Sequence, residues 1–302
     1  MSTSAEELFA QSSFAAPDCI VVATALTDLE YLTPAAIAQA QAAHAELIFV
    51  HAVVPDELPV KATYYNPLKA DRDARLTLEV LARHIRARGL ACTTIVRHGA
   101  VRDVVDEVVQ EKAAGRLILG NCSHAQETAG RLGRTARQLL SHQWIPVSCV
   151  RPGQGQPRAG NGASRRVLYP VTGEPEHGRL VHDLVKYLHA ELLVLHEGRG
   201  ERDATRITGH CAVDCPLGLK PGARWIAADV MSGSLIAEIA QTEDADLIVL
   251  DGPSLFDPER TLGLLEDLLS RYDGEILIAQ SLMPKRAGSS LSALRIVASA
   301  AL

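Results

Sequence analysis

Apolar residues occur in this chain in two patterns, as short uninterrupted runs and as helically spaced sets. The run CIVVA leads into the polar exit TALTD, and the runs ELIFV and RLILG likewise lack polar alternation. Between the runs, VRDVVDEVVQ places its valines on one face of a helix. Uniformly apolar strands separated by helices are typical of a parallel sheet covered on both faces. The pattern predicts a doubly wound α/β fold.

The same succession of elements occurs twice along the 302 residues. A stretch rich in glycine, proline and polar residues, 153–164, separates the two copies and predicts a flexible linker. We therefore predict two five-stranded parallel-sheet domains, at 17–152 and 165–282, followed by a tail at 283–302. The first predicted helix spans 34–45. The predicted strands are CIVVATALTD, ELIFVHAV, TTIVRHG, RLILG and WIPVSCV in the first copy, and RRVLYPVTG, ELLVLHEG, RWIAADV, DLIVLDG and EILIAQS in the second.

Composition and charge narrow the classes of partner. With 30 basic and 36 acidic residues the net charge is -6, so the chain has no basic surplus for a nucleic-acid backbone, and we predict no nucleic-acid partner. No apolar run approaches the roughly 20 residues that cross a bilayer, which argues against integral membrane association. Six scattered cysteines and a start without a signal-like pattern favour a cytoplasmic location with reduced thiols.

One loop has the layout of a phosphate site. Ligands of doubly wound sheets bind beyond the carboxyl ends of the strands, where the strand order reverses, which selects the exits at 24–28, 50–54 and 120–124. At the third exit, Gly120 ends a strand and permits backbone angles closed to other residues, and Gly133 begins a helix. Free amides at a helix start attract anions, so the amides of Gly133, Arg134 and Thr135 are predicted to face a phosphate. The alternative is that both glycines serve only tight turns. The predicted supporting groups are the hydroxyls of Ser123 and Thr135 and the charges of Arg131, Arg134 and Arg137.

Two successive units of this kind, each with a helix such as GAVRDVVDEVVQ or SGSLIAEIAQ leading into RLILG or DLIVLDG, resemble tandem universal stress protein domains. In the ATP-binding branch of that family, the fourth strand runs into glycine, two residues, glycine, nine residues, glycine, then Ser or Thr. Gly120 and Gly133 match the outer glycines, Ser123 replaces the middle one, and Arg134 followed by Thr135 stands at the last position. The family's nucleoside-contacting aspartate is replaced by Ala25, and an aspartate, Asp28, follows three residues later, where it could substitute only if the loop reshapes.

The resemblance implies an adenine nucleotide alpha hydrolase-like fold and a cytoplasmic, non-catalytic stress-response protein. Its first domain would bind ATP or AMP with Mg²⁺ and alter interactions with an unknown protein partner. The two domains would pair through WIPVSCV and EILIAQS as a pseudo-dimer, and a further homodimer stays open. The implied nucleotide-binding residues are Thr24, Ala25, Val53 through its backbone, Gly120, Ser123, Gly133, Arg134 and Thr135.

Two other functions remain open. The second copy continues into PSLFDPERTLG, which is acidic and has no second glycine at the required distance, so we predict that this domain is degenerate. Both pockets could then be vestigial in an interaction scaffold. An enzyme acting on nucleotides or acyl-phosphates, such as a weak ATPase, rests on fold analogy alone.

Histidines and cysteines supply weaker candidates. His51 and His196 end equivalent strands, where each either hydrogen-bonds a ligand or is satisfied by neighbouring backbone. The clusters NCSH and HCAVDC offer at most three local ligands each, so we predict ordinary thiols rather than a metal site.

Overall fold

The computed structural model of the chain describes residues 17–54, 67–121, 131–152, 165–171, 178–197, 223–228, 230–251 and 258–280. Within these ranges, one ten-stranded sheet has the order β3-β2-β1-β4-β5-β10-β9-β6-β7-β8. The strands are β1 (Cys19–Ala23), β2 (Glu46–Val53), β3 (Cys92–His98), β4 (Arg116–Gly120), β5 (Val147–Val150), β6 (Arg166–Val171), β7 (Glu191–Glu197), β8 (Arg224–Ala228), β9 (Leu247–Asp251) and β10 (Glu275–Ala279). The helices are α1 (Leu29–Ala43), α2 (Pro67–Arg86), α3 (Val101–Glu111), α4 (Arg134–His142), α5 (Gly178–Leu188), α6 (Gly233–Thr242) and α7 (Pro258–Arg271).

Each half of the sheet is parallel, and the two halves meet at one antiparallel pair of strands. β5 pairs with β10, with Cys149 opposite Ile276 and Val147 opposite Ile278. The strand order on one side of this pair mirrors the order on the other. The predicted fold class and the pairing of the fifth strands are therefore confirmed. The predicted linker at 153–164 and the tail at 283–302 lie outside the described residues.

The first helix starts earlier than its sequence pattern indicated. α1 begins at Leu29 rather than residue 34, because the Asp28 carbonyl accepts the N–H of Leu32 at 3.0 Å. Pro34 consequently lies in the second turn, where its missing N–H removes one helical hydrogen bond. The prediction had placed proline at the helix start, its commonest position. The earlier start brings Asp28 to the exit of β1.

One face of the sheet has a continuous apolar core. A single cluster of buried side chains runs through both halves, from Val21 and Leu117 to Val147, Ile276 and Leu168. The opposite face has two separate clusters, one around Phe49 in the first half and one around Tyr169 in the second. The helices divide in the same way. Four contribute to the shared core, namely α3, α4, α6 and α7, and three contribute to the separate clusters, namely α1, α2 and α5.

Polar side chains lie between the two separate clusters. The buried Arg116 guanidinium donates to the Gln39 side-chain oxygen at 3.4 Å, and the Ser148 hydroxyl donates to the same oxygen at 3.2 Å. Burial lowers the pKa of Arg116, and Glu275 from the second half opposes that change. Burial likewise raises the pKa of Glu275, which Arg116 opposes. The halves therefore associate through apolar packing on one face and through a charged network on the other.

Among the described residues, no helix is both long and apolar enough to cross a bilayer.

Candidate functional site

A cavity of about 390 Å³ lies at the carboxyl ends of β1, β2 and β4, beside the start of α4. β1 lies between β2 and β4, so the strand order reverses at β1. In a doubly wound sheet, a crevice for a ligand forms beyond the carboxyl ends of the strands at such a point. Apolar side chains from two helices, including Val101, Val105 and Leu139, form the wall. The cavity lies where the sequence predicted a ligand.

Most of the predicted nucleotide-binding residues meet at this cavity. Val53 does not line it: its side chain is buried in the core on the α1 and α2 side, and its carbonyl accepts the Gly99 N–H at 3.2 Å. The following residue, Val54, lines the cavity instead. Ser123 lies outside the described residues. The predicted residues that line the cavity are Thr24, Ala25, Gly120, Gly133, Arg134 and Thr135.

The exit of β1 folds around a buried carboxylate. Asp28 is 4% exposed and accepts hydrogen bonds from the Thr24 hydroxyl and, at 3.1 Å, from the Ala25 N–H. The Thr24 hydroxyl also accepts the Leu26 N–H at 2.9 Å, and Leu26 has a left-handed φ of 70°. Burial raises the pKa of Asp28 above its ordinary value, and the hydrogen bonds from Thr24 and Ala25 oppose that rise. Asp28 also lines the cavity, so a carboxylate is present although Ala25 replaces the expected one.

The two equivalent histidines have different surroundings. The Nδ1 atom of His51 lies 2.9 Å from the Thr24 carbonyl oxygen, and the residue lines the cavity. His196 is 5% exposed, and neither ring nitrogen has a hydrogen-bond partner among the described residues. Its ring instead makes an edge contact with Trp225, with centroids 5.9 Å apart. The repeat suggested that both histidines have the same role. Among the described residues, however, only His51 has a backbone hydrogen-bond partner.

Gly120 has an ordinary backbone angle and lies close to a neighbouring side chain. Among the described glycines, positive φ values occur at Gly89 and Gly99, not at Gly120. A Cβ at Gly120 would lie 2.4 Å from the Tyr31 hydroxyl oxygen, well inside contact distance. The predicted conformational role is therefore corrected: the glycine makes room for a tyrosine from α1.

The start of α4 offers fewer free amides than the sequence suggested. Gly133 is the N-cap with φ −63° and ψ 159°, and its N–H already donates to the Asn121 carbonyl at 2.7 Å. The next two N–H groups, of Arg134 and Thr135, lie in the first turn, where no intrahelical acceptor is available. Among the described residues, two of the three predicted amides therefore have no hydrogen-bond acceptor.

Two residues at this end of the molecule were missed from the sequence. Asn121 is buried directly after β4, and its side-chain amide donates to the Arg131 carbonyl at 3.4 Å. A polar residue following an apolar strand was the available signal. Glu266 comes from α7 in the other half, and its carboxylate accepts the Leu132 N–H at 2.9 Å and an Arg137 guanidinium N–H at 2.7 Å. Local sequence carries no signal for a contact across 134 positions.

Metal ligands do not converge in the described part of the chain. No group of three or more His, Cys, Asp or Glu residues there could hold a metal ion. The described free cysteines, Cys19, Cys92 and Cys149, are buried, and burial raises the thiol pKa of Cys19 and of Cys92 to about 11. These thiols are packing groups. The clusters around Cys122 and Cys211 lie outside the described residues.

Comparison with known proteins supplies a family for the first half. A model of the universal stress protein family matches residues 18–151, and a comparison with curated proteins gives no match. A solved universal stress protein from Archaeoglobus fulgidus is 14% identical, with a TM-score of 0.65 and coverage of 90% of this chain and 98% of that chain. A protein of the same family name from Pseudomonas aeruginosa is 18% identical, with a TM-score of 0.57 and coverage of 95% and 99%. These structures share the fold of both halves, and the family model confirms the resemblance for residues 18–151.

Proposed function

We propose that the first half, whose residues 18–151 match a model of the universal stress protein family, is a non-catalytic module that binds an adenine nucleotide. One observation carries the proposal: a cavity of about 390 Å³ at the switch point of the sheet is lined by Arg134 and Thr135 from the first turn of a helix, and the described residues offer their N–H groups no acceptor. Cavities of this size are usual for small ligands. The combination provides one apolar region and one anion-attracting end.

The two ends of the cavity suit the two ends of a nucleotide. A phosphate would accept hydrogen bonds from the N–H groups of Arg134 and Thr135, with the Thr135 hydroxyl and the Arg134 guanidinium beside them. The nucleoside would lie against the exit of β1, where Thr24 and Ala25 form the wall. The ring of His51 provides a polar edge there. In this proposal, the six residues implied by the resemblance that line the cavity would contact the nucleotide.

A calorimetric titration of nucleotide-stripped protein with ATP and Mg²⁺, AMP and a guanine nucleotide tests the proposal. We expect adenine-selective binding at about one site per chain. Replacing Gly133 with Asp places a carboxylate at the phosphate end, and we expect it to abolish binding by charge repulsion. The matched control is Gly263→Asp in α7, where an added Cβ meets nothing within 4 Å. Unchanged affinity in the Gly133 variant would remove the site from this loop.

An interaction scaffold is the second candidate. The observation that favours it is the use of anion-attracting groups by the protein itself, since Gly133 donates its N–H to Asn121 and Arg137 pairs with Glu266. In that case the paired halves provide the functional surface, and the cavity is a remnant of the fold. Absence of binding to every nucleotide in the titration would favour this function over the first.

A further inference from the structure

The two ring nitrogens of His51 have different surroundings at the nucleoside end of the cavity. The residue lies near the end of β2 and lines the cavity. Its Nδ1 atom lies 2.9 Å from the Thr24 carbonyl oxygen, whereas Nε2 has no hydrogen-bond partner among the described residues. The sequence left open a backbone contact and a ligand contact for this histidine. The two contacts involve different atoms and are therefore compatible.

The contact with Thr24 determines which nitrogen carries the proton. A carbonyl oxygen only accepts hydrogen bonds, so Nδ1 is the donor. In the neutral ring Nε2 is then an acceptor, and its lone pair is directed away from the Thr24 carbonyl. The backbone of β1 thus holds the ring in one tautomer. His196, at the equivalent position of the second half, has no such contact among the described residues.

The other polar side chains at the exit of β1 are bound by the protein itself. The Thr24 hydroxyl donates to Asp28 and accepts the Leu26 N–H at 2.9 Å. The Asp28 carboxylate is 4% exposed, and the Ala25 N–H lies 3.1 Å from one of its oxygens and 3.2 Å from the other. The ring of His51 is only partly buried. At this exit, Nε2 of His51 is therefore the acceptor that no described group uses.

We propose that Nε2 of His51 determines specificity by accepting a hydrogen bond from the bound nucleoside, whose donor is an amino group of the base or a hydroxyl of the sugar. The proposal rests on the proposed nucleotide site and names the polar contact at its nucleoside end. Thr24 and Asp28 then act as positioning residues, because Asp28 binds the Thr24 hydroxyl and the Thr24 carbonyl orients the ring. A ligand without a donor at this point leaves Nε2 desolvated and without a partner, which lowers its affinity.

Calorimetric titration of the wild type, His51→Asn and His51→Gln with AMP tests the proposal. The asparagine amide offers a donor near the position of Nδ1, so it keeps the bond to the Thr24 carbonyl but removes Nε2. The longer glutamine places its carbonyl oxygen near the position of Nε2. We expect AMP affinity to fall about tenfold in His51→Asn and less than about threefold in His51→Gln. A purely structural role would give the opposite order, with asparagine the better replacement.

The control, His98→Asn, changes a half-exposed histidine of β3 that does not line the cavity and should leave AMP affinity unchanged. Thermal unfolding of His51→Asn near the wild-type temperature would show that its fold is kept.

Ligand analogues identify the donor. The analogues are 2′-deoxy-AMP, 3′-deoxy-AMP and purine riboside monophosphate, which lacks the amino group. The analogue without the relevant donor should bind the wild type about tenfold more weakly than AMP and lose nothing further in His51→Asn. Unchanged AMP affinity in His51→Asn, or an equal loss with AMP and all three analogues, would overturn the inference and leave the nucleotide site standing. Absence of AMP binding to the wild type and to the His98 control would overturn the site and the inference together.

Discussion

The fourth strand of each half ends in a different residue, and the surroundings differ accordingly. Strand register makes the positions equivalent, because Val21 pairs with Leu117 in the first half as Leu168 pairs with Ile248 in the second. By that register, Asp251 stands where the first half has Gly120. Asp251 accepts a hydrogen bond from the Tyr169 hydroxyl at 2.8 Å, whereas Gly120 leaves space that Tyr31 approaches.

The two halves also differ at a second pair of equivalent positions. Tyr169 is fully buried in β6, at the position where β1 has Val22. A short aliphatic residue cannot reach the strand exit, but a tyrosine spans the distance and carries its own donor. Two exchanges, valine to tyrosine and glycine to aspartate, thus place an internal hydrogen bond at this exit. The same strand arrangement therefore carries different chemistry in the two halves, and among the described residues side-chain identity at two positions makes the difference.

Transferring the second-half residue to the first half should have the largest effect. Gly120→Asp places a Cβ 2.4 Å from the Tyr31 hydroxyl oxygen and a carboxylate beside the proposed phosphate position. We expect a loss of about 1 to 3 kcal/mol in the free energy of unfolding from overpacking, and no nucleotide binding. Urea denaturation and calorimetry measure the two effects, with Gly263→Asp as the unstrained control. A stable variant that still binds would show that Tyr31 moves aside freely.

Removing the hydrogen bond between Tyr169 and Asp251 tests its contribution to the second half. Tyr169→Phe should lower the free energy of unfolding by about 2 kcal/mol, since the lost bond joins a buried donor to a carboxylate. The control is Tyr187→Phe, whose hydroxyl donates to the Ala42 carbonyl at an exposed position and should cost less than about 1 kcal/mol. A double-mutant cycle with Asp251→Ala isolates the pair, because alanine has no acceptor for the hydroxyl. A coupling energy near zero would mean that this hydrogen bond does not stabilise the second half.

The carboxylate at the β1 exit makes the first half sensitive to pH. Burial raises the pKa of Asp28 in the folded chain above its ordinary value of 3.8. The folded state therefore binds this proton more tightly than the unfolded state, and the associated stability is complete below pH 3.8 and lost as pH rises through the folded pKa. Asp28→Asn lacks this dependence, so its stability relative to the wild type should improve from acid toward neutral pH. Chemical denaturation over that range measures the difference, and parallel curves would contradict the assignment.

The equivalent histidines should give the smallest effects, in different directions. His51→Leu removes the group 2.9 Å from the Thr24 carbonyl and should destabilise by about 1 kcal/mol. His196→Leu replaces a buried ring whose nitrogens have no hydrogen-bond partner among the described residues, and should be neutral or slightly stabilising. Thermal unfolding of both variants provides the comparison. Equal losses would indicate that His196 has a polar partner in solution.

Sequence reasoning identified the repeated units, the strands and the cavity end of the sheet for a local reason. Short, uniformly apolar runs such as RLILG, separated by helical patterns, indicate buried strands, and a parallel sheet built from them binds ligands at its carboxyl edge. That argument brought six of the eight predicted residues to one cavity. Val53 was expected to contribute its backbone, but its carbonyl accepts the Gly99 N–H and the cavity begins at Val54.

The contacts that give the site its character were decided by tertiary structure. Gly120 lies against a tyrosine from α1, the Gly133 amide bonds to Asn121, and Arg137 pairs with Glu266 of the second half. Each of these depends on where a distant element packs, which local spacing does not encode. The sequence by itself determined a repeated parallel sheet and predicted an anion-binding loop after the fourth strand of the first half. Tertiary structure alone decided how much of that loop's charge remains available, because the second half contributes the carboxylate that the first half's loop binds.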